Sequence, residues 1–406
     1  MTGGMVKGNT APYGGGLGLY GEATVTGGTI QGNTAKVSGG GIDAFTSSTA
    51  TTIRTLNLGG SASVIGNTAS DNSGGIAVSR SKLVMAGGTV SNNTAVNTGG
   101  GLVIGGGSSS VIQGGVISGN KVTGSTGGGG GVRLFSNTQL AISGGEIKDN
   151  TVVVNGGGIL SGGGTITMTG GTVSGNKATG TDSSKGQGRS GGVHLYANTT
   201  MTASGGSISG NTAALQGGGV TVGGSYVDDK GVTVPAAKFT LSGAKIENNK
   251  VMTGSGGGVY LSGLMTMTSG SITGNTVGGM GSGQGRGAGV RVNSVAEFTA
   301  TGGTISNNTA EVHGGGVFTG GGYTENGVSY PGGKFVMNGA TISGNKAGGG
   351  GGIGNGGTLE LRSGSITGNA ATKEKGGGVR NFIGAVFSQT GGSVTGNTPD
   401  QIVTDQ

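Results

Sequence analysis

A nine-residue block returns along this 406-residue chain and restricts its possible folds more than any other feature. It reads GGTIQGNTA at 27–35, GGTVSNNTA at 87–95, GGSISGNTA at 205–213 and GGTISNNTA at 302–310. Following its asparagine gives fourteen copies, at Asn9, Asn33, Asn67, Asn93, Asn120, Asn150, Asn176, Asn211, Asn249, Asn275, Asn308, Asn345, Asn369 and Asn397. Three residues before every one stands Val or Ile, from Val6 and Ile30 to Ile366 and Val394. Two residues after it stands Ala or Val in thirteen copies and Pro399 in the last. The spacings run from 24 to 38 residues and average about 30, the range in which self-similarity signals a solenoid.

Each repeat carries two further segments. A glycine run opens an alternating stretch, as in GGGVRLF (129–135), GGVHLY (191–196) and GGGVYL (256–261). A second alternating stretch follows, as in TITMTGG (165–171), AKFTLSG (237–243) and AEFTATGG (296–303). Apolar residues alternate with Thr, Ser or charged residues at period two, which is the pattern of strands. With 106 glycines the composition alone would suggest a flexible chain. Their fixed places relative to β-branched residues instead mark positions where the backbone turns or coils approach closely. Glycine at this density also excludes helices.

Three short strands separated by turns form one coil of a parallel β-helix. A lone coil cannot bury its apolar face, whereas stacked coils line up equivalent residues into interior columns. Parallel crossovers favour the right hand. The expectation is therefore an all-β, right-handed parallel β-helix of about fourteen coils with three strands each. It would span residues 1–398 as one domain, with 399–406 as a C-terminal tail or cap, because Pro399 cannot continue a ladder. The repeated asparagine is expected to stack in a turn as an amide ladder, donating to one neighbour and accepting from the other. Length varies at two corners only, represented by 177–192 and 276–289, and by 223–238 and 320–334. Such corners face solvent and diversify.

Tandem GG-x-I blocks joined to an I-x-x-N block, over essentially the whole chain, resemble the repeats of chlamydial polymorphic outer-membrane proteins. They resemble still more the large adhesin-like β-helix proteins of anaerobic bacteria and archaea. The resemblance implies a pectate-lyase-like right-handed β-helix, extracellular or displayed at a bacterial or archaeal cell surface, with a role in adhesion. The chain departs from the polymorphic proteins in having I-x-x-N where they mostly have F-x-x-N, no cysteine, and no C-terminal β-barrel translocator.

The charge balance narrows the function further. A formal net charge of +7 over 406 residues, with no run of five basic residues, argues against nucleic-acid binding. No apolar stretch of 18 residues exists to span a bilayer. Zero cysteines exclude a disulfide framework and a thiolate metal site. The N-terminal MTGGMVKGNTA lacks an apolar signal-peptide core and begins inside a repeat, as an excised or processed chain would. Glycosidases and lyases on this scaffold need facing carboxylates or carboxylate-held metal. The sixteen acidic residues are scattered: Asp43 and Asp182 stand alone, Asp228 and Asp229 lie in a glycine-flanked insertion, and Glu311 with His313 lacks a third partner. No catalytic residue, metal ligand or cofactor site is expected.

One column exceeds background. The outward position after the glycine-run Val or Ile reads Asp43, Ala77, Val103, Arg133, Leu160, His194, Thr221, Tyr260, Arg291, Phe318 and finally Arg380. Arg133, His194, Tyr260 and Arg291 form a candidate patch for an acidic glycan or a protein loop, since Arg offers fixed donors and Tyr a stacking face. The plain alternative is a row of solvent-facing strand residues. Ranks of Thr, such as Thr167/Thr169, Thr202/Ser204, Thr240/Ser242, Thr266/Thr268 and Thr299/Thr301, have the flat geometry of ice-binding solenoids but also suit any exposed strand. The leading expectation is a non-catalytic adhesin-like or fibre protein that binds glycans or surface proteins. Glycan binding or degradation through the first strand, end-to-end self-assembly and ice binding are the alternatives.

Overall fold

Alternation at period two puts every second side chain of a strand into the interior, and stacking closes that interior with the next coil. The computed structural model follows this rule throughout. It describes residues 1–47, 49 and 52–406. The chain folds as a right-handed parallel β-helix, divided into two compact units. One comprises residues 1–201 with 205–207, the other residues 202–204 with 208–406. Each unit carries seven of the repeated asparagines and three parallel sheets.

The first sheet is built from the strands that follow the glycine runs. In the first unit they include Ile42–Phe45, Ile76–Ser79, Leu102–Gly105 and Val132–Leu134, paired in uniform parallel register. The second unit repeats this from Val220–Val222 through Val259–Leu261, Val290–Val292 and Val317–Thr319. The second alternating stretch and the Val/Ile stretch before the asparagine share one sheet. They are joined into one strand where the Gly-Gly pair is replaced, as by Gly243-Ala244 in Lys238–Glu247 and Gly339-Ala340 in Lys334–Ser343.

The third sheet consists of short strands just after the first thirteen asparagines, most of two residues, for example Thr68–Ala69 and Thr94–Ala95. The sequence pattern places this pair in the turn. It is a strand because its Ala or Val points inward and stacks, as Ala213, Val251, Val277 and Ala310 do, all at most 3% exposed.

The interior is a set of like-on-like columns. The Val/Ile before each asparagine runs Ile246, Ile272, Ile305, Ile342 and Ile366 in direct register. In the same unit Phe298 and Phe335 stack at 4.7 Å with an 11° interplanar angle, fully buried. Stacking of this kind adds roughly 0.5–1.5 kcal/mol beyond the area it buries.

The asparagine ladder exists in both units and is denser than a simple amide stack. Asn275 donates both its backbone N–H and its side-chain amide to Asn308 Oδ1, each at 2.9 Å. The second amide hydrogen goes back to the Ile246 carbonyl at 3.0 Å, and Asn275 Oδ1 accepts the two corresponding bonds from Asn249. Each interior asparagine thus joins three coils. The last glycine of each run packs on this ladder: a Cβ at Gly258 would lie 3.0 Å from Asn275 Nδ2, and one at Gly131 2.8 Å from Asn150 Nδ2. The close approach explains glycine at that place.

Pro399 ends the third sheet, where Ala370 bridges Thr398, but not the first. Beyond it the chain adds Ile402–Thr404, paired to Val379–Asn381, because a proline at one corner leaves the next sheet's donors intact. The corner insertions carry structure of their own. Tyr226–Val227 pairs with Thr233–Val234, and Tyr323–Glu325 with Val328–Tyr330, as antiparallel hairpins. The second turns at Asn326 and Gly327, both at positive φ, as a two-residue Asn-Gly hairpin requires. Among the described residues no helix is long and apolar enough to cross a membrane.

Candidate binding site on the first sheet

The outward column keeps its register. In the first unit Asp43, Ala77, Val103, Arg133, Leu160 and His194 are successive partners. In the second, Thr221, Tyr260, Arg291 and Phe318 follow one another, then Gly354 and Arg380. Its exposure differs from a row of solvent-facing residues. Leu160, His194 and Phe318 are 3%, 3% and 4% exposed. The cover comes partly from aromatic side chains of the position two residues further along, Tyr196 against His194 and Phe382 against Phe318.

In the first unit Arg133 and His194 belong to one cluster. The Arg133 guanidinium lies 4.8 Å from the Phe135 ring centroid, and its Nη1 is buried without a hydrogen-bond partner. Burial lowers its pKa. His194 Nδ1 lies 3.0 Å from Ser190 Oγ, and its ring meets Tyr196 edge-on at 4.5 Å. The Tyr196 hydroxyl is 2.8 Å from the Asn155 amide. Burial first, then the charges of Arg189 and Arg133, push the His194 pKa down to about 3, so it is a neutral imidazole at physiological pH.

In the second unit Tyr260 and Arg291 are adjacent rungs. The Tyr260 hydroxyl accepts from Gln216 Nε2 at 3.2 Å, and Arg291 Nε donates to Asn293 Oδ1 at 3.0 Å. Arg291 and Arg286 both lie over the Phe318 ring, at 4.5 and 5.2 Å. His313 stacks on Phe318 and meets Phe382 edge-on. Arg380 lies over Phe382 and is paired with Glu374 and Asp405. Among the described residues neither Arg286 nor Arg291 has a carboxylate partner. Desolvation lowers both pKa values, that of Arg291 to about 10, which leaves Arg291 protonated at neutral pH. Arg286 and His313 occupy one column of bridging residues just before the glycine run. The repeat pattern does not reveal that column, because it lies in the corner of variable length.

The acidic candidates serve loops. Asp182 caps a turn of 3₁₀ helix at Ser183–Lys185, Asp228 accepts from the Lys230 and Val232 backbones inside its hairpin, and Glu311 pairs with Lys373 at 2.9 Å. Of the Thr ranks, Thr240, Thr266 and Thr299 align, but the next rung is Val336. The second rank slips, since a register shift pairs Ser242 with Ser269.

Asp43 stands apart. Its carboxyl is part-buried in an open cleft of about 590 Å³ in the first unit, lined also by Tyr13, Tyr20, Phe45 and Phe135. Burial raises its pKa to about 6. The cleft is a gap in the column two residues further on. That column holds Phe45, Ser79 and Gly105 in register, with Phe135 one rung beyond. Ser79 and Gly105 leave empty the volume that aromatic rings fill at either end. In the sequence Asp43 is only a lone acid, and the small residues that expose it become legible once both columns are aligned. No protein-family model matches this chain, and neither a curated protein nor a solved structure matches it.

Proposed function

We propose that the chain is a non-catalytic, extracellular adhesin-like scaffold that binds its partner through the outward face of the first sheet and the insertions bordering it. The observation that carries this reading is the pair Arg286 and Arg291, both laid over Phe318 without a carboxylate partner among the described residues. Guanidiniums held on an aromatic face with donors to spare suit a carboxylate or sulfate on an acidic glycan or a protein loop. The ladder supports the same reading, since within each unit coils cross-linked through it hold their loops in fixed relation, which lowers the entropy lost on binding. The repeats' resemblance to surface adhesins supports an extracellular place.

The test is a glycan array with polyuronates and sulfated glycans beside neutral ones, repeated with Arg291→Ala, together with antibody labelling of intact source cells. Retention of acidic glycans, weakened roughly tenfold in the variant, and surface labelling are expected. Turnover of a polyuronate to unsaturated or reducing-end products would overturn the non-catalytic reading. A protein confined to the cell interior would overturn the adhesin.

A further inference from the structure

We propose that the Asp43 cleft of the first unit is a second binding site, one that takes an organic cation carrying an alkylated or protonated ammonium group. The floor is formed by Asp43, Ala77 and Val103, and the gap left by Ser79 and Gly105 opens it to solvent. The backbones that carry Phe45 and Phe135 at the two ends of that gap are three rungs or roughly 14 Å apart. The Phe135 ring leans back toward Gly105, where a Cβ would lie 3.5 Å from it. Tyr20 meets Phe45 edge-on at 6.5 Å. Tyr13 and Tyr20 are 55% and 76% exposed, so their faces are free to receive a ligand.

Charge decides what that ligand is. Asp43 is the one charged residue in the lining, and among the described residues its carboxylate has no ion pair. The nearby titratable groups are Tyr13 and Tyr20, while Arg80 lines the adjoining depression beyond Gly106. Arg133, one rung past Val103, already lies over the Phe135 ring at 4.8 Å, so the aromatic faces left for a ligand are those at the Phe45, Tyr13 and Tyr20 end. A part-buried carboxylate without a counter-ion is penalised by its surroundings, and an incoming cation removes the penalty. Aromatic faces attract the same cation through their quadrupoles, most strongly where it is desolvated. A neutral sugar could use the rings and the hydroxyl of Ser79, but would leave the charge unanswered.

This proposal goes beyond the adhesin reading and fails separately from it, because Arg291→Ala belongs to the other unit and leaves the cleft intact. The experiment titrates the full chain with tetramethylammonium, followed by tyrosine fluorescence and calorimetry, with neopentyl alcohol and maltose as neutral probes. Saturable binding of tetramethylammonium is expected, with neopentyl alcohol at least roughly tenfold weaker. Asp43→Asn should weaken it roughly tenfold, and Ser79→Phe, which fills the gap, should abolish it. Tyr20→Ala alters an exposed side chain and supplies a second reading should Asp43→Asn fold poorly; it should weaken binding several-fold. Equal binding of neopentyl alcohol, preferential binding of maltose, no saturable binding, or unchanged affinity in Asp43→Asn or Tyr20→Ala would each overturn the site.

Discussion

Asn397 donates its backbone N–H and its side-chain amide to Oε1 of Gln401, each at 3.0 Å. Gln401 thereby stands where the preceding rungs of the second unit have the next coil's asparagine, and its own amide returns to the Asn397 carbonyl at 3.0 Å. A glutamine four residues on reproduces the ladder bond locally, without another coil.

The two positions should differ in their contribution to stability. Asn275→Ala removes an acceptor of two bonds from Asn249 and a donor to both Asn308 and Ile246, all of it buried. Orphaned buried groups cost about 1–3 kcal/mol each, so a loss of roughly 3–5 kcal/mol is expected. Gln401→Ala acts at a part-buried rung open to water and should cost about 1 kcal/mol. Thermal unfolding midpoints, with amide exchange at the altered rung and its neighbours, compare the two. Equal effects would mean that the ladder is not what holds the coils.

The residue before each ladder asparagine gives a second prediction. It is left-handed in every copy, whether Gly66, Asn92, Asp149, Asn248 or Gly274, with φ between 54° and 66° at these five. Only glycine, and asparagine or aspartate among the rest, enters that region cheaply. A Cβ at Gly274 would also lie 2.4 Å from Asn248 Oδ1 of the coil before. Gly274→Ala should therefore destabilise by about 1–2 kcal/mol, while Asn248→Gly stays within a few tenths. A melting curve for each variant checks both.

What the sequence discloses follows from stacking. A residue repeated at the same place in each coil must meet its own kind, so the recurrence of Asn33, Asn67 and Asn93 already specifies their contact. Neighbours along a strand give no such signal. Whether His194 is exposed depends on Tyr196, and whether Asp43 is reachable depends on Ser79 and Gly105, which lie in a different column. The Asn326–Gly327 turn is legible in principle, since Asn-Gly between β-formers is a strong local hairpin signal, yet it sits inside an insertion that breaks the repeat.

Asp43 should make the first unit less stable at neutral pH than at pH 4. Its folded pKa, near 6, lies above the ordinary 3.8, so between those values the folded chain holds more protons than the unfolded one. Stability is full below about 4 and is lost as pH rises through 6. Asp43→Asn removes the penalty and should raise stability at pH 7 by about 1–2 kcal/mol, a figure reduced for partial solvent screening. The gain should vanish at pH 4. Unfolding midpoints at both pH values measure it, and a variant no more stable than the parent at pH 7 would refute the assignment.

His194 carries the opposite sign. Its folded pKa of about 3 lies below the ordinary 6.5, because a charged ring would be buried beside Arg189 and Arg133 with only Ser190 and Tyr196 against it. The unfolded chain therefore binds the proton first. Its contribution to stability is complete above 6.5 and drains away as pH falls toward 3, by roughly 3 kcal/mol at pH 4. His194→Gln keeps a hydrogen-bonding partner for Ser190 but cannot titrate. It should lose some stability at pH 7, where the contact with Tyr196 is gone, and regain ground on the parent as the solution is acidified. His313, whose pKa burial also lowers, and Asp43 titrate identically in parent and variant, so the difference between their curves isolates His194. A difference that stays flat from pH 7 to pH 4 would mean that the imidazole finds room or a counter-ion for its proton, and that the cluster around Arg133 is less closed than its geometry implies.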